Sequence, residues 1–212
     1  MTKYCSLYLI RHLLENAFDT LINTFIDHKV GITQNFISKQ LSLQLKQNLT
    51  DCYAENLFNH AGTGNDKDIS HNHSVRGDMI YWLDRKHNNS HENAFFDVMD
   101  NFILYLNNTC YTGITGYEFH YTLYPEGTFY KKHLDQFKNN DSRKYSMIIY
   151  LNTGWLEADG GELCVHHLDS LQKIAPEDGK SVFFKSNELV HEVLYTNKQR
   201  LSITGWLKVD SI

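Results

Sequence analysis

The chain lacks paired cysteines. Its four, Cys5, Cys52, Cys110 and Cys164, are scattered, with no CxxC among them. That excludes a cysteine-spaced zinc or disulfide framework and fits a reducing compartment. Long apolar runs are also missing. The stretch Cys5 to Ile10 is broken at once by Arg11 and His12, and nothing approaches the ~20 apolar residues that cross a bilayer. The expectation is a cytosolic protein with no signal peptide, no transmembrane helix and no membrane partner. Positive charge is short as well. A formal net charge of −5 argues against a protein built to hold nucleic-acid backbone, and Lys131-Lys132 and Arg143-Lys144 are only local basic spots. No feature specifies an oligomeric state.

What is present is an ordinary globular composition rich in Asn, over 212 residues. That length suits one domain, or one domain with a helical cap, around a sizeable core. Leu7, Ile10, Leu14, Phe18, Leu21 and Phe25 recur in steps of three and four and predict a helix from Lys3 to His28. Gly31 and the segment after it predict a short connection with room for a strand. Ile37, Leu41, Leu45, Leu49, Tyr53 and Leu57 predict a second amphipathic helix. Residues from His60 to Ser74 are polar and rich in Gly, Asn and Asp, which predicts a loop. Its His60, His71 and His73 read as solvated, although His71 and His73 are spaced to chelate. Phe95, Met99, Phe102 and Leu106 predict a third helix from Glu92 to Leu106.

From Tyr111 the period changes to two. Tyr117, Phe119, Tyr121 and Leu123 alternate with Glu118, His120, Thr122 and Tyr124. Met147, Ile149 and Leu151 alternate with Ile148 and Tyr150. Ser181 to Phe184 and Leu201 to Val209 are further strands, and Gly and Asn/Asp clusters separate them. Short strands with turn chemistry between them predict a sandwich or barrel. The expected fold class is mostly β with N-terminal α-helices (α+β): a jelly roll, or double-stranded β-helix, packed against helices. The expected organisation is one integrated domain, with a helical support region and first strands over 1–110 and the jelly-roll core over 111–210.

One stretch concentrates the chemistry, Lys132-His133-Leu134-Asp135. On a β-strand the His-x-Asp spacing sends both side chains to one face. With a second imidazole from elsewhere they form a 2-His-1-carboxylate set, which covers one face of an Fe(II) ion and leaves the other open. Nitrogen and oxygen donors without a thiolate favour iron over zinc or a cluster. Further on, Arg200 stands before Leu201-Ser202-Ile203-Thr204-Gly205-Trp206-Leu207. An arginine in such an apolar run is costly to bury unpaired, and two or three strand widths from the metal it suits the far end of a dicarboxylate.

The order His-x-Asp, distal His191, then Arg200 nine residues later resembles the Fe(II)/2-oxoglutarate dioxygenases. The closer resemblance is to the prolyl hydroxylases of the hypoxia-factor type and their bacterial relatives, within the prolyl 4-hydroxylase superfamily. It runs from about Arg76 to the C-terminus through Arg76-Gly77-Asp78-Met79-Ile80-Tyr81-Trp82, Tyr124-Pro125, Tyr130 to Asp135, Ile149-Tyr150-Leu151-Asn152, Gly160-Gly161-Glu162-Leu163 and His191-Glu192-Val193. It implies Fe(II) on His133, Asp135 and His191, with 2-oxoglutarate and O2 as co-substrates and ascorbate as a stimulant. It implies Arg200 and Tyr150 on the 5-carboxylate of 2-oxoglutarate, and Tyr124, Ile148, Leu163, Val193, Thr204 and Trp206 lining the pocket. His120 shares the parity of Tyr124 but is no ligand in the family pattern, and His166 and His167 read as structural or surface residues. The family's early Val-x-Asp-Asp strand has only a loose echo in Gly31 to Ile37.

The implied activity is hydroxylation of a prolyl residue in a protein or peptide, with 2-oxoglutarate decarboxylated to succinate. If the chain is bacterial, a translation factor such as elongation factor Tu is the candidate target. Trp82, Tyr130 and Arg143 are the expected substrate contacts: the rings suit a prolyl ring, and the guanidinium suits a peptide carbonyl. Arg76-Gly77-Asp78 is either a turn with a surface ion pair or a structured turn beside the entrance. Two other readings stay open at this point. One is the same chemistry on free proline or another small amino acid or peptide, and the other is a non-catalytic cupin-like metal-binding module.

Overall fold

A computed structural model describes residues 3–62, 72, 74–136 and 141–210, with side chains described from Glu15 onward. Leu7, Ile10 and Leu14 therefore lie outside the described side chains, and His71 and His73 lie outside the described residues. Three helices, α1 (Lys3–His28), α2 (Lys39–Ala54) and α3 (Ser90–Cys110), cover one face of a large sheet. α2 starts later than its apolar stripe because the Ser38 hydroxyl caps it, accepting from the Leu41 amide at 3.1 Å. α3 starts two residues earlier than Glu92 because Asn89 Oδ1 accepts from the His91 and Glu92 amides. It runs on to Cys110, where Tyr111 turns left-handed at φ 53°.

The described residues form eleven strands: β1 (Val30–Gln34), β2 (Asn59–His60), β3 (Met79–Trp82), β4 (Gly116–Tyr124), β5 (Tyr130–His133), β6 (Arg143–Tyr150), β7 (Leu163–His166), β8 (Leu171–Ile174), β9 (Lys180–Lys185), β10 (Val190–Val193) and β11 (Arg200–Lys208). They build a seven-stranded sheet in the order β1-β9-β6-β11-β4-β3-β2 and a four-stranded sheet in the order β5-β10-β7-β8. All ladders between these strands are antiparallel. The two sheets make the double-stranded β-helix, and the segment after Gly31 is its edge strand β1 rather than a plain connection. His60, expected in a loop, belongs to β2.

The two-residue period of β4 serves two buried faces. Phe119, Tyr121 and Leu123 enter the core beneath the helices, with Phe95, Phe102, Met147, Ile149 and Ile203. His120, Thr122 and Tyr124 are buried on the opposite face. There the large sheet meets the small one, and Ile148, Tyr150, Val182 and Phe184 pack against Leu163, Val165, Ile174 and Leu189. Among the described residues no helix is long and apolar enough to cross a membrane.

Candidate active site

β5 and β10 are neighbours in the small sheet, and their register puts His191 opposite His133. The imidazole centres lie 4.2 Å apart. Asp135 is not on the strand, which corrects the same-face reading of His-x-Asp. β5 stops at His133, and Asp135 follows in a bend. Its carboxylate is aimed from across the sandwich instead: Ser146 Oγ on β6 donates to Asp135 Oδ2 at 2.6 Å, and Ser186 Oγ lies 2.9 Å from Ser146 Oγ. The result is still one cluster. Asp135 Oδ1 is 3.4 Å from His133 Nε2 and 3.6 Å from His191 Nε2, and the three residues offer donors to a single ion.

The tautomers follow from the backbone. His133 Nδ1 lies 2.7 Å from the Lys131 carbonyl and His191 Nδ1 lies 3.0 Å from the Leu189 carbonyl. A carbonyl only accepts, so each Nδ1 carries the proton and each Nε2 presents a lone pair to Asp135. Two lone pairs converging on a carboxylate oxygen repel it unless a cation lies between them. Burial and the neighbouring His133 resist protonation of His191, although the Asp135 charge works the other way. Burial alone would raise the Asp135 carboxyl; without a cation it is held well below the usual carboxylate range only once His191 and then His133 carry a positive charge, with the Ser146 hydrogen bond adding to them. An all-nitrogen-and-oxygen set with an ionised carboxylate and fixed imidazoles fits Fe(II).

His133 is braced from behind. The Tyr130 ring stacks on it with centroids 3.6 Å apart at 15°. The Arg76 guanidinium covers the other face of that region, 4.1 Å from the Tyr130 centroid. Arg76 is locked by two bonds to Asp78, at 2.7 and 2.6 Å, and by a third to the Gly62 carbonyl at 3.0 Å. Asp78 is 1% exposed, so the Arg76-Gly77-Asp78 turn holds a buried bidentate pair and not a surface one. Tyr130, expected as a substrate contact, is placed against a metal-ligand candidate.

Arg200 lies on the other sheet. The distance between anchor and triad is therefore crossed through the sandwich, not along strand widths of one sheet. Arg200 pairs in register with Tyr124 and is 1% exposed. Its Nε donates to the Gly161 carbonyl at 2.8 Å, and its Cζ sits 5.0 Å from the ring centroids of both Tyr124 and Tyr150. Gly161 is needed there: its φ is 66°, and an added Cβ would come within 3.0 Å of Thr196 and 3.2 Å of Arg200 Cδ. Two buried polar groups next to each other, Arg200 Nη2 and the Tyr150 hydroxyl, have no well-formed hydrogen-bond partner among the described residues, although the two side chains lie close enough to interact. Leaving such groups unpaired costs roughly 1–3 kcal/mol each. A carboxylate between them would satisfy both. Burial raises the Tyr150 phenol, so it stays a proton donor, while the Arg200 charge and then a side-chain contact with Arg200 offset part of that rise.

The remaining expected residues line the same inner face. Register places Ser202 beside Thr122 and Tyr150, Thr204 beside His120 and Ile148, and Trp206 beside Glu118 and Ser146. Leu163 and Val193 face them from the small sheet as a cross-strand pair. Trp206 Nε1 is a further buried donor without a hydrogen-bond partner among the described residues. At the rim, Arg143 Cζ is 3.5 Å above the Trp206 ring, and its charge is met by Glu118 at 2.7 Å. Trp82 is 46% exposed and rests on the His120 ring at 5.0 Å. Sequence reasoning missed Ser146 and the Arg76–Asp78 brace. Ser146 shares the parity of Ile148 and Tyr150, which was the available signal; the brace had none beyond its motif.

A profile of the 2OG-Fe(II) oxygenase superfamily matches residues 119–208. A crystal structure of a Pseudomonas putida prolyl-4-hydroxylase is 31% identical, superimposes with a TM-score of 0.81, and is matched over 91% of this chain and 99% of that chain. A Trichoplax adhaerens prolyl hydroxylase, solved with a hypoxia inducible factor oxygen degradation domain peptide, shares the fold at a TM-score of 0.83 and 23% identity, over 95% of this chain and 93% of that one. Prolyl 3-hydroxylase OGFOD1 of Xenopus laevis is 31% identical over a stretch that covers 31% of this chain and only 15% of that protein.

Proposed function

The chain belongs to the 2OG-Fe(II) oxygenase superfamily and is a 2-oxoglutarate-dependent dioxygenase, and from that premise we propose that it hydroxylates a prolyl residue within a polypeptide. His133, Asp135 and His191 hold Fe(II). Arg200 and Tyr150 take the distal carboxylate of 2-oxoglutarate, with Tyr124 packed against the guanidinium. Ile148, Leu163, Val193, Thr204 and Trp206 shape the cavity around it. The observation that carries this reading is the pair of buried orphans, Arg200 Nη2 and the Tyr150 hydroxyl, on the inner face of the sandwich whose other sheet carries two of the three metal-ligand candidates.

When bound by His133, Asp135 and His191, iron would supply oxygen activation coupled to conversion of 2-oxoglutarate and O2 to succinate and CO2, with the second oxygen atom going to a substrate C–H bond. The chain's own residues do the positioning. The Lys131 and Leu189 carbonyls set the imidazole tautomers. Ser146 fixes the carboxylate rotamer, and Arg76 and Tyr130 hold the His133 ring. Tyr124 and Tyr150 flank the anchor and keep its surroundings dry, which strengthens a charge-assisted pair.

A polypeptide is favoured by the rim. Trp82, on β3 of the large sheet, and Leu134, just past the end of β5, are large apolar side chains left 46% and 43% exposed. Rings and a guanidinium at Trp82, Trp206 and Arg143 suit an extended prolyl segment. A proline-bearing stretch of a translation factor is the target we would try first, with ascorbate present. The same reading puts the reaction in the cytosol, which fits the scattered spacing of the cysteines. The test is succinate release from 2-oxoglutarate with proline-containing peptides, followed by mass spectrometry for one added oxygen. Oxidised peptide supports the proposal. Turnover with free proline, and none with any peptide, would replace it with small-molecule hydroxylation.

A further inference from the structure

Successive residues of a strand point to opposite faces. β10 therefore sends His191 inward and its neighbour Glu192 outward. β10 pairs with β7 so that Glu192 lies directly across from Cys164, and Val190 across from His166. Cys164 and His166 are two residues apart on β7 and share the face of Glu192. The Glu192 carboxylate meets His166 Nε2 at 2.7 Å. The thiol sulfur, the imidazole nitrogen and the carboxylate oxygen all lie within 4.8 Å of one another. Cys164 is 3% exposed, while His166 and Glu192 are partly exposed, so the cluster has a closed floor and an open rim. The hydroxylation chemistry uses none of the three.

We propose that Cys164, His166 and Glu192 form a second cation site, for zinc(II), on the outer face of the small sheet and back to back with His133, Asp135 and His191. The donor set chooses the metal. A sulfur ligand disfavours magnesium and calcium, which take oxygen. One sulfur, one nitrogen and one oxygen donor suit zinc, with a fourth position left for water. The charges balance too: a thiolate and a carboxylate cancel the dication. The thiol proton leaves to solvent as the sulfur–metal bond forms. Burial and then the Glu192 charge push the Cys164 thiol up, against the smaller pull of Lys173, its β8 register partner, and of Lys132, so it is the cation that must displace the proton. A metal here ties β7 to β10 one residue from His191 and so stiffens the strand that aims that imidazole.

Cobalt(II) is the probe, because a thiolate-to-cobalt charge-transfer band needs a sulfur ligand and the His133–Asp135–His191 set has none. The full-length protein is stripped of metal and titrated with cobalt. The expected result is a band that saturates by two equivalents in the wild type, where the triad also takes cobalt, and at one equivalent in Asp135→Ala, and that zinc displaces. It disappears in Cys164→Ser, and in Glu192→Gln the cobalt affinity falls at least tenfold. Circular dichroism establishes that Cys164→Ser is folded; if it is not, Glu192→Gln decides. No band in the wild type at saturating cobalt overturns the site and leaves His166 and Glu192 as a cross-strand ion pair. A band that survives in Cys164→Ser, or an affinity unchanged in Glu192→Gln, overturns it as well. None of these readouts depends on hydroxylation, so the site and the proposed activity stand or fall separately.

Discussion

At the scale of single residues the proposed triad depends on placement, and the tolerance of such a site is roughly 0.5 Å. Asp135→Glu adds a methylene and should abolish succinate formation while the protein remains folded by circular dichroism; an active variant would remove Asp135 from the metal. Arg200→Ala should leave iron affinity near wild type and raise the 2-oxoglutarate KM. The loss of a hydrogen bond to a charged group, roughly 1.5–3 kcal/mol, corresponds to about 10–150-fold. A matching fall in iron affinity would reassign Arg200 to a structural role. His120 makes a different prediction. Burial drives its imidazole from the usual 6.5 down to about 4. Below pH 6.5 the unfolded chain takes up a proton that the folded chain refuses until about pH 4. Stability contributed by neutral His120 is therefore present above pH 6.5 and lost as pH falls through that window, by roughly 3 kcal/mol in all. Urea midpoints of metal-free wild type and His120→Gln should diverge between pH 7.5 and pH 5, with the variant losing less. Parallel curves would mean that His120 takes up its proton without cost.

At the scale of elements the small sheet carries two of the metal-ligand candidates and depends on support from outside it. The support is a stack running Asp78, Arg76, Tyr130, His133, from the turn before β3 to the end of β5. Asp78→Asn breaks the bidentate pair and leaves a mostly buried guanidinium uncompensated, at a cost of roughly 3–5 kcal/mol. Urea denaturation should show that loss, and iron affinity should fall with it because the His133 ring loses its backing. Unchanged stability would show that water replaces Asp78 freely. Helix positions were legible from the apolar stripes, since steps of three and four leave one solution. Their ends were not, because single hydrogen bonds from Ser38 and Asn89 decide them. Of the strands, β1 was legible only as room for a strand, and β2, β3, β7, β8 and β10 were not read, being two to four residues long and too short for apolar alternation to show.

At the scale of the whole molecule the two sheets divide the labour. The small one carries the imidazoles, the large one carries Arg200, Tyr150 and the Ser146 that aims Asp135, and the helices cover the large sheet's far side. The rim is built from both. Trp82→Ala and Arg143→Ala should slow peptide hydroxylation several-fold while iron and 2-oxoglutarate binding stay close to wild type. Equal losses in all three would mean a folding defect instead. The sequence by itself pointed to the proposed chemistry: His133, Asp135, His191 and Arg200 stand out as candidates by type, order and spacing, and the change of period at Tyr111 determined the layered β architecture. Only the tertiary structure decided how Asp135 reaches its place, since the strand ends before it and a serine on the facing sheet aims it. Only the tertiary structure showed that Arg76 and Asp78 are buried behind Tyr130, and that Cys164, His166 and Glu192 meet. The physical reason is the same each time. Spacing along one strand is written in the chain, whereas contacts across a ladder or between sheets depend on register and packing, which no local pattern encodes.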